Sequence, residues 1–146
     1  MDAEVERLLT EEEAGWAVLL GAFDAVPKER FEEPTVTPEG WSPKDLMFHV
    51  AAWCGECDTQ LERIRTDTVV DDGLDTDTRN RRFFEISKGL DSTSARAELV
   101  ASRTRMREAL QRVNQLTPSA QEWFQESGAI HYVDHVRDLS AWQGRA

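Results

Sequence analysis

The chain has 146 residues, 40% hydrophobic and 31% charged, and its 28 acidic side chains against 17 basic ones give a net charge of −11. A chain this long buries about two-thirds of its unfolded surface, so one domain over residues 1–146 is expected to fold without disulfide or metal, and its acidic field argues against binding nucleic acid. With no positively charged leader at Met1–Glu6 and no apolar run near the length of a membrane span, the expected location is cytoplasmic and off the membrane.

A first helix is expected from about Thr10 to Val26, with the residues before Thr10 left open as a further helical turn. Thr10 with Glu13 has the capping-box pattern, Glu11 to Glu13 suit the positive end of the helix dipole, and Trp16, Leu19, Leu20 and Phe23 form an apolar stripe. Pro27 ends it. Prolines 34 and 38 and Gly40 break the following connection. Next, Ser42 reads as an N-cap with Pro43 in the first helical position and Asp45 at N3. The helix so started runs to about Arg65, with Leu46, His49, Val50, Trp53, Cys57, Gln60, Leu61 and Ile64 on one face. Residues 66–74 read as an acidic loop. A helix from about Asp75 to Lys88 stops at Gly89, and Ser92 or Ser94 caps another that ends near Leu116. Ser119 and Glu122 suit a short turn holding Trp123 and Phe124, and a last helix runs from about Gly128 to Trp142. No segment alternates with the period of a half-buried strand. The expected fold is all-α, a four-helix bundle with short extra helical turns.

The chain has three histidines, at 49, 131 and 135. On a helix, His131 and His135 stack one turn apart on one face, a spacing that can hold a divalent metal. His49 lies on the inward face of another helix and can complete the set. Three imidazoles leave coordination positions open for water or substrate, the arrangement of a catalytic site. The alternative is three histidines simply packed in the core. Asp138, on the face of His135, reads either as an orienting partner or as a solvated helix charge.

Other motifs have bland readings as well. Cys54 and Cys57 form a CxxC about three turns inside a helix, away from the dipole that activates a redox pair. Cys57 lies about 12 Å along the axis from His49, so one metal does not easily use both, and core cysteines are favoured. Arg79, Asn80 and Arg82 belong to the one basic cluster. It suits either an anionic group of a substrate or thiol cofactor or a solvated turn offsetting nearby aspartates. The tryptophans read as packing, with Trp53 one turn after His49 as a possible wall of the site. Tyr132, Glu56 and Asp134 are candidate general bases, none of them decisively placed.

Gly40-Trp41-Ser42-Pro43-Lys44-Asp45-Leu46 with His49 and Ala51-Ala52-Trp53, then Asp75, Asp77 and Asn80, then His131-x-x-x-His135 with Leu139 and Trp142, stand in an order and spacing that resembles the DinB/YfiT-like family. The resemblance is nearest to the branch holding the DfsB/ClbS-type proteins and the N-terminal domain of mycothiol-dependent maleylpyruvate isomerase. It implies a bundle that is commonly a homodimer, with His49, His131 and His135 on one zinc or nickel ion. It also implies a transferase or isomerase that uses a low-molecular-weight thiol such as mycothiol, or a hydrolase, acting on a small electrophilic molecule. The rival expectation is a non-catalytic small-molecule binding or stress-protection protein of the same fold.

Overall fold

The computed structural model describes residues 2–145. They form six α-helices: α1 (Ala3–Asp24), α2 (Pro43–Thr66), α3 (Thr76–Ser87), α4 (Ser92–Arg112), α5 (Pro118–Ser127) and α6 (Ala129–Gly144), with one 3-10 turn at Lys28–Arg30. No strand occurs among the described residues, so the expected all-α fold holds. The bundle is built from the four longer helices, α2 packing along α4 and α1 along α6, while α3 covers α2 and α5 bridges α2 and α6. No described helix is long and apolar enough to cross a membrane.

Capping chemistry sets most helix starts. At α2 the expected box is present: Asp45 N–H donates to Ser42 Oγ at 3.1 Å, and Ser42 N–H donates to Asp45 Oδ2 at 3.0 Å. The second Asp45 oxygen accepts from Ser87 Oγ at 2.7 Å, which ties the end of α3 to the start of α2. Elsewhere the caps differ from expectation. α1 begins seven residues earlier than Thr10, because Asp2 accepts from the Glu4 and Val5 amides and Val5, Leu8 and Leu9 extend the apolar stripe backwards. Thr10 is inside the helix and bonds back to the Glu6 carbonyl at 2.9 Å. Asp91, not Ser92 or Ser94, caps α4, which closes at Arg112 rather than near Leu116. α5 is a full ten-residue helix capped by Thr117, with Pro118 at its first position, where a short turn from Ser119 was expected. α3 ends at Ser87 with Lys88 as its cap, and Gly89 is not among the left-handed glycines, Gly40 and Gly73.

The core runs the length of the bundle. Leu19 and Phe23 of α1, Leu46 and Leu61 of α2, Leu99 and Leu110 of α4, Phe124 of α5 and Leu139 of α6 are all fully or almost fully buried. Each contributes roughly 1.5–3 kcal/mol by leaving water. Two backbone features aim this packing at the histidines. The turn before α2 closes through Thr35 and Val36 amides on the Trp41 carbonyl, with Gly40 at φ +86°, a left-handed conformation glycine adopts without strain. Trp41 is thereby set against His49. Between α5 and α6, a Cβ on Gly128 would sit 2.8 Å from the Phe124 carbonyl, so the sharp turn three residues before His131 requires glycine.

Candidate metal centre and cavity

His49 comes from the second turn of α2, and His131 and His135 from adjacent turns of α6. Helix packing brings their rings together although 82 residues separate the first two. His49 Nε2 is 3.1 Å from His131 Nε2, which is 2.8 Å from His135 Nε2. The ligand atoms of all three lie within 4.8 Å of one another. An imidazole nitrogen has one in-plane position for a proton or a lone pair. His131 Nε2 can therefore complete a hydrogen bond with only one of its two neighbours, and mutual bonding cannot satisfy the trio. Three ring nitrogens gathered this closely suit a cation.

The tautomers point the same way. His135 Nδ1 lies 3.0 Å from Asp138 Oδ2, so Nδ1 carries the proton and Nε2 offers its lone pair to the cluster. Asp138 therefore contacts an imidazole, although its side chain is 41% exposed. His49 Nδ1 and His131 Nδ1 are buried without a hydrogen-bond partner. Burial, and then the neighbouring rings, push His49 down to about 2. Burial and His135 push His131 down to about 3, opposed by the Ser127 carbonyl, which approaches the ring without forming a well-aligned bond. Burial also lowers His135, with Asp138 opposing. All three are held neutral, the state in which imidazole binds metal. The donor set fits a divalent metal ion.

Trp41 packs against His49 with ring centroids 4.6 Å apart and the rings tilted by 44°. A cavity of about 550 Å³ opens beside the cluster, lined by His49, His131, Trp53, Trp123, Arg79 and Asn80 among others. The Trp53 indole N–H donates to Asn80 Oδ1 at 2.8 Å, leaving the Asn80 amide NH2 as its free donor. Arg79 lines the cavity with its guanidinium engaged, 2.7 and 2.8 Å from the two Asp72 oxygens and 3.4 Å from Glu56. Arg82 is exposed and outside the lining.

None of the three candidate bases lines this cavity. Glu56 is held by Arg79 and by the Gln60 amide at 2.9 Å. Asp134 is exposed, 3.6 Å from Arg137. Tyr132 turns into the core, where its hydroxyl donates to Glu12 Oε2 at 2.8 Å. Burial, with Cys54 and Glu12 beside it, holds its proton well above the ordinary phenol range. Cys54 and Cys57 are buried and free, and burial pushes the Cys54 thiol up to about 12, so both behave as core residues.

The sequence pattern of the DinB superfamily matches residues 12–137. The chain belongs to the DinB superfamily. Members of this superfamily often bind metal, in keeping with the three-histidine cluster. No curated protein and no solved structure gives a significant match.

Sequence reading missed three carboxylates around this DinB site. Glu122 and Glu126 line the cavity from α5, which was expected to be only a turn. Glu12, read as a first-turn acid, is completely buried behind Tyr132.

Proposed function

We propose that this DinB protein is a divalent-metal-dependent enzyme acting on a small electrophilic molecule, with water or a low-molecular-weight thiol as nucleophile. The observation that carries the reading is the convergence of three neutral imidazoles beside an open cavity. His49, His131 and His135 would hold zinc or nickel, with coordination positions left for the nucleophile. When bound, the ion supplies Lewis acidity and lowers the pKa of a coordinated water or thiol towards neutrality. Asp138 orients His135, Trp41 shields His49 from solvent, and the Asn80 amide offers a fixed donor to a substrate oxygen. The resemblance to the DfsB/ClbS-type and isomerase branch supports a thiol such as mycothiol in a transferase or isomerase, or water in a hydrolase. The second reading, a non-catalytic binding protein, is favoured by the fact that Tyr132, Glu56 and Asp134 all lie outside the cavity lining.

Elemental analysis of tag-free protein tests the site. About one zinc or nickel per chain is expected, lost in His49→Ala and His131→Ala. Protein that stays metal-free after reconstitution would overturn the metal-dependent mechanism. Metal-loaded protein that binds electrophiles yet turns none over with thiol or water would favour the second reading. Asp138→Asn should keep all three ligands and weaken the metal by roughly 10–100-fold, read by competition with a chromophoric chelator. Unchanged affinity would reduce Asp138 to a solvated charge.

A further inference from the structure

The cavity beside the histidines has a charge pattern opposite to the one its basic cluster suggests. Arg79 brings one guanidinium, already engaged by two carboxylates, Asp72 and Glu56. That corner is therefore net negative and has little donor capacity to spare for an incoming anion. On α5, Glu122 and Glu126 stand one turn apart and both line the cavity. Neither is in an ion pair among the described residues, unlike Asp72 and Glu56. The same lining contains two indoles, Trp53 and Trp123, whose π-faces favour cations.

The cavity reaches the histidine cluster, since His49 and His131 both line it. Asn80, its oxygen held by Trp53, presents a donor rather than an acceptor. A ligand matched to these walls has a positive group for the carboxylates and indoles and a neutral acceptor atom for Asn80.

We infer that the substrate of this site is cationic, carrying an ammonium- or amidinium-type group that seats against Glu122, Glu126 and the indoles of Trp53 and Trp123. The inference rests on reading this cavity as the substrate site and adds the substrate's charge class. It assigns Arg79 to holding Asp72 and Glu56 rather than to receiving a substrate carboxylate. Glu122 and Glu126 become binding residues, selective through charge.

Two probes of similar size that coordinate metal poorly test it: phenyltrimethylammonium and benzenesulfonate. Each is titrated into zinc-loaded and into metal-free protein, following the indole N–H resonances of Trp53 and Trp123, assigned with Trp53→Phe and Trp123→Phe. The cation should bind at least about tenfold more tightly than the anion, from the two carboxylates and the aromatic faces together. The Glu122→Gln/Glu126→Gln double variant should lose most of that preference. Glu98→Gln/Glu108→Gln, an equal charge change on exposed residues of α4 outside the lining, should keep it. Equal binding, preference for the sulfonate, no binding of either probe at tens of millimolar, or a preference that survives in Glu122→Gln/Glu126→Gln would each overturn the inference. Zinc stoichiometry on the same samples reports separately on the metal reading, so the two can fail independently.

Discussion

Glu12→Ala should unfold this protein more readily than any surface substitution, by about 3–5 kcal/mol, the usual cost of removing one partner from a buried charge cluster. Glu12 is fully buried on α1. Its carboxylate accepts from Arg103 at 2.9 and 2.7 Å, from Arg107 at 2.7 Å and from the Tyr132 hydroxyl at 2.8 Å. One side chain therefore joins α1 to α4 and α6. Arg103 also packs over Trp16 with its guanidinium carbon 4.7 Å from the ring centroid, and Glu13 offers it a more exposed second partner. Removing Glu12 leaves two guanidinium groups, 14% and 23% exposed, and a buried hydroxyl without their shared acceptor. In a chain of this size the loss corresponds to a fall in melting temperature of roughly 10–15 °C. Glu12→Gln keeps the shape and some hydrogen bonds and should cost less, about 1.5–3 kcal/mol. Tyr132 is the neighbour of His131, so the cluster also fixes the rotation of α6 that aims two imidazoles inward. Thermal melts of both variants provide the check. A shift of under about 2 °C for Glu12→Ala would mean that the cluster contributes little beyond a solvated pair.

Glu12 also shows where the sequence stopped being legible. The fold class was readable because amphipathic stripes with capping residues admit few architectures, and Ser42, Pro43 and Asp45 mark the start of α2 unambiguously. The start of α1 was misplaced because Thr10 and Glu13 imitate a capping box inside a longer helix. That error hid Glu12. Once the helix begins at Ala3, Glu12 falls on the same stripe as Val5, Leu8, Trp16 and Leu19, where a charge must have a buried partner. The partners, Arg103 and Arg107, lie about 90 residues away in sequence, and no local pattern specifies such a pairing. The histidines were legible as a set because they were all the imidazoles available, two of them at helical spacing. Their convergence at 3.1 and 2.8 Å needed the packing of α2 against α6. The sequence left Arg79 open between an anionic ligand and the nearby aspartates. Asp72 is one of those aspartates, whereas the second partner, Glu56, comes from α2, and no local pattern shows where the loop folds back to engage the guanidinium.

The same packing predicts that the metal-free protein is acid-labile well above the range in which its carboxylates titrate. An unfolded histidine takes up a proton near pH 6.5. In the folded protein, burial and the neighbouring rings hold His49 down at about 2 and His131 at about 3. Their burial is tolerated fully above pH 6.5, where both states are neutral. As pH falls below 6.5 the unfolded chain gains protons that the folded chain cannot accept, so stability decreases. The decrease continues until the folded pKa values are reached. Between pH 7 and pH 5 these two histidines together should remove about 4 kcal/mol, and His135, lowered less because Asp138 opposes the shift, adds to the same trend. A divalent ion binds the neutral folded cluster and should offset the loss, by about 4 kcal/mol at a free concentration 1,000 times its Kd. Urea midpoints at pH 7 and pH 5, in chelator and in zinc, measure both effects. His49→Phe, which fills a similar volume beside Trp41 without a titrating group, should flatten the metal-free pH slope by up to about 1.4 kcal/mol per pH unit and abolish zinc protection. A metal-free midpoint that does not move between pH 7 and pH 5 would mean the histidines protonate freely in the folded state. A cluster able to do that would not be held in the neutral form that makes it a metal site.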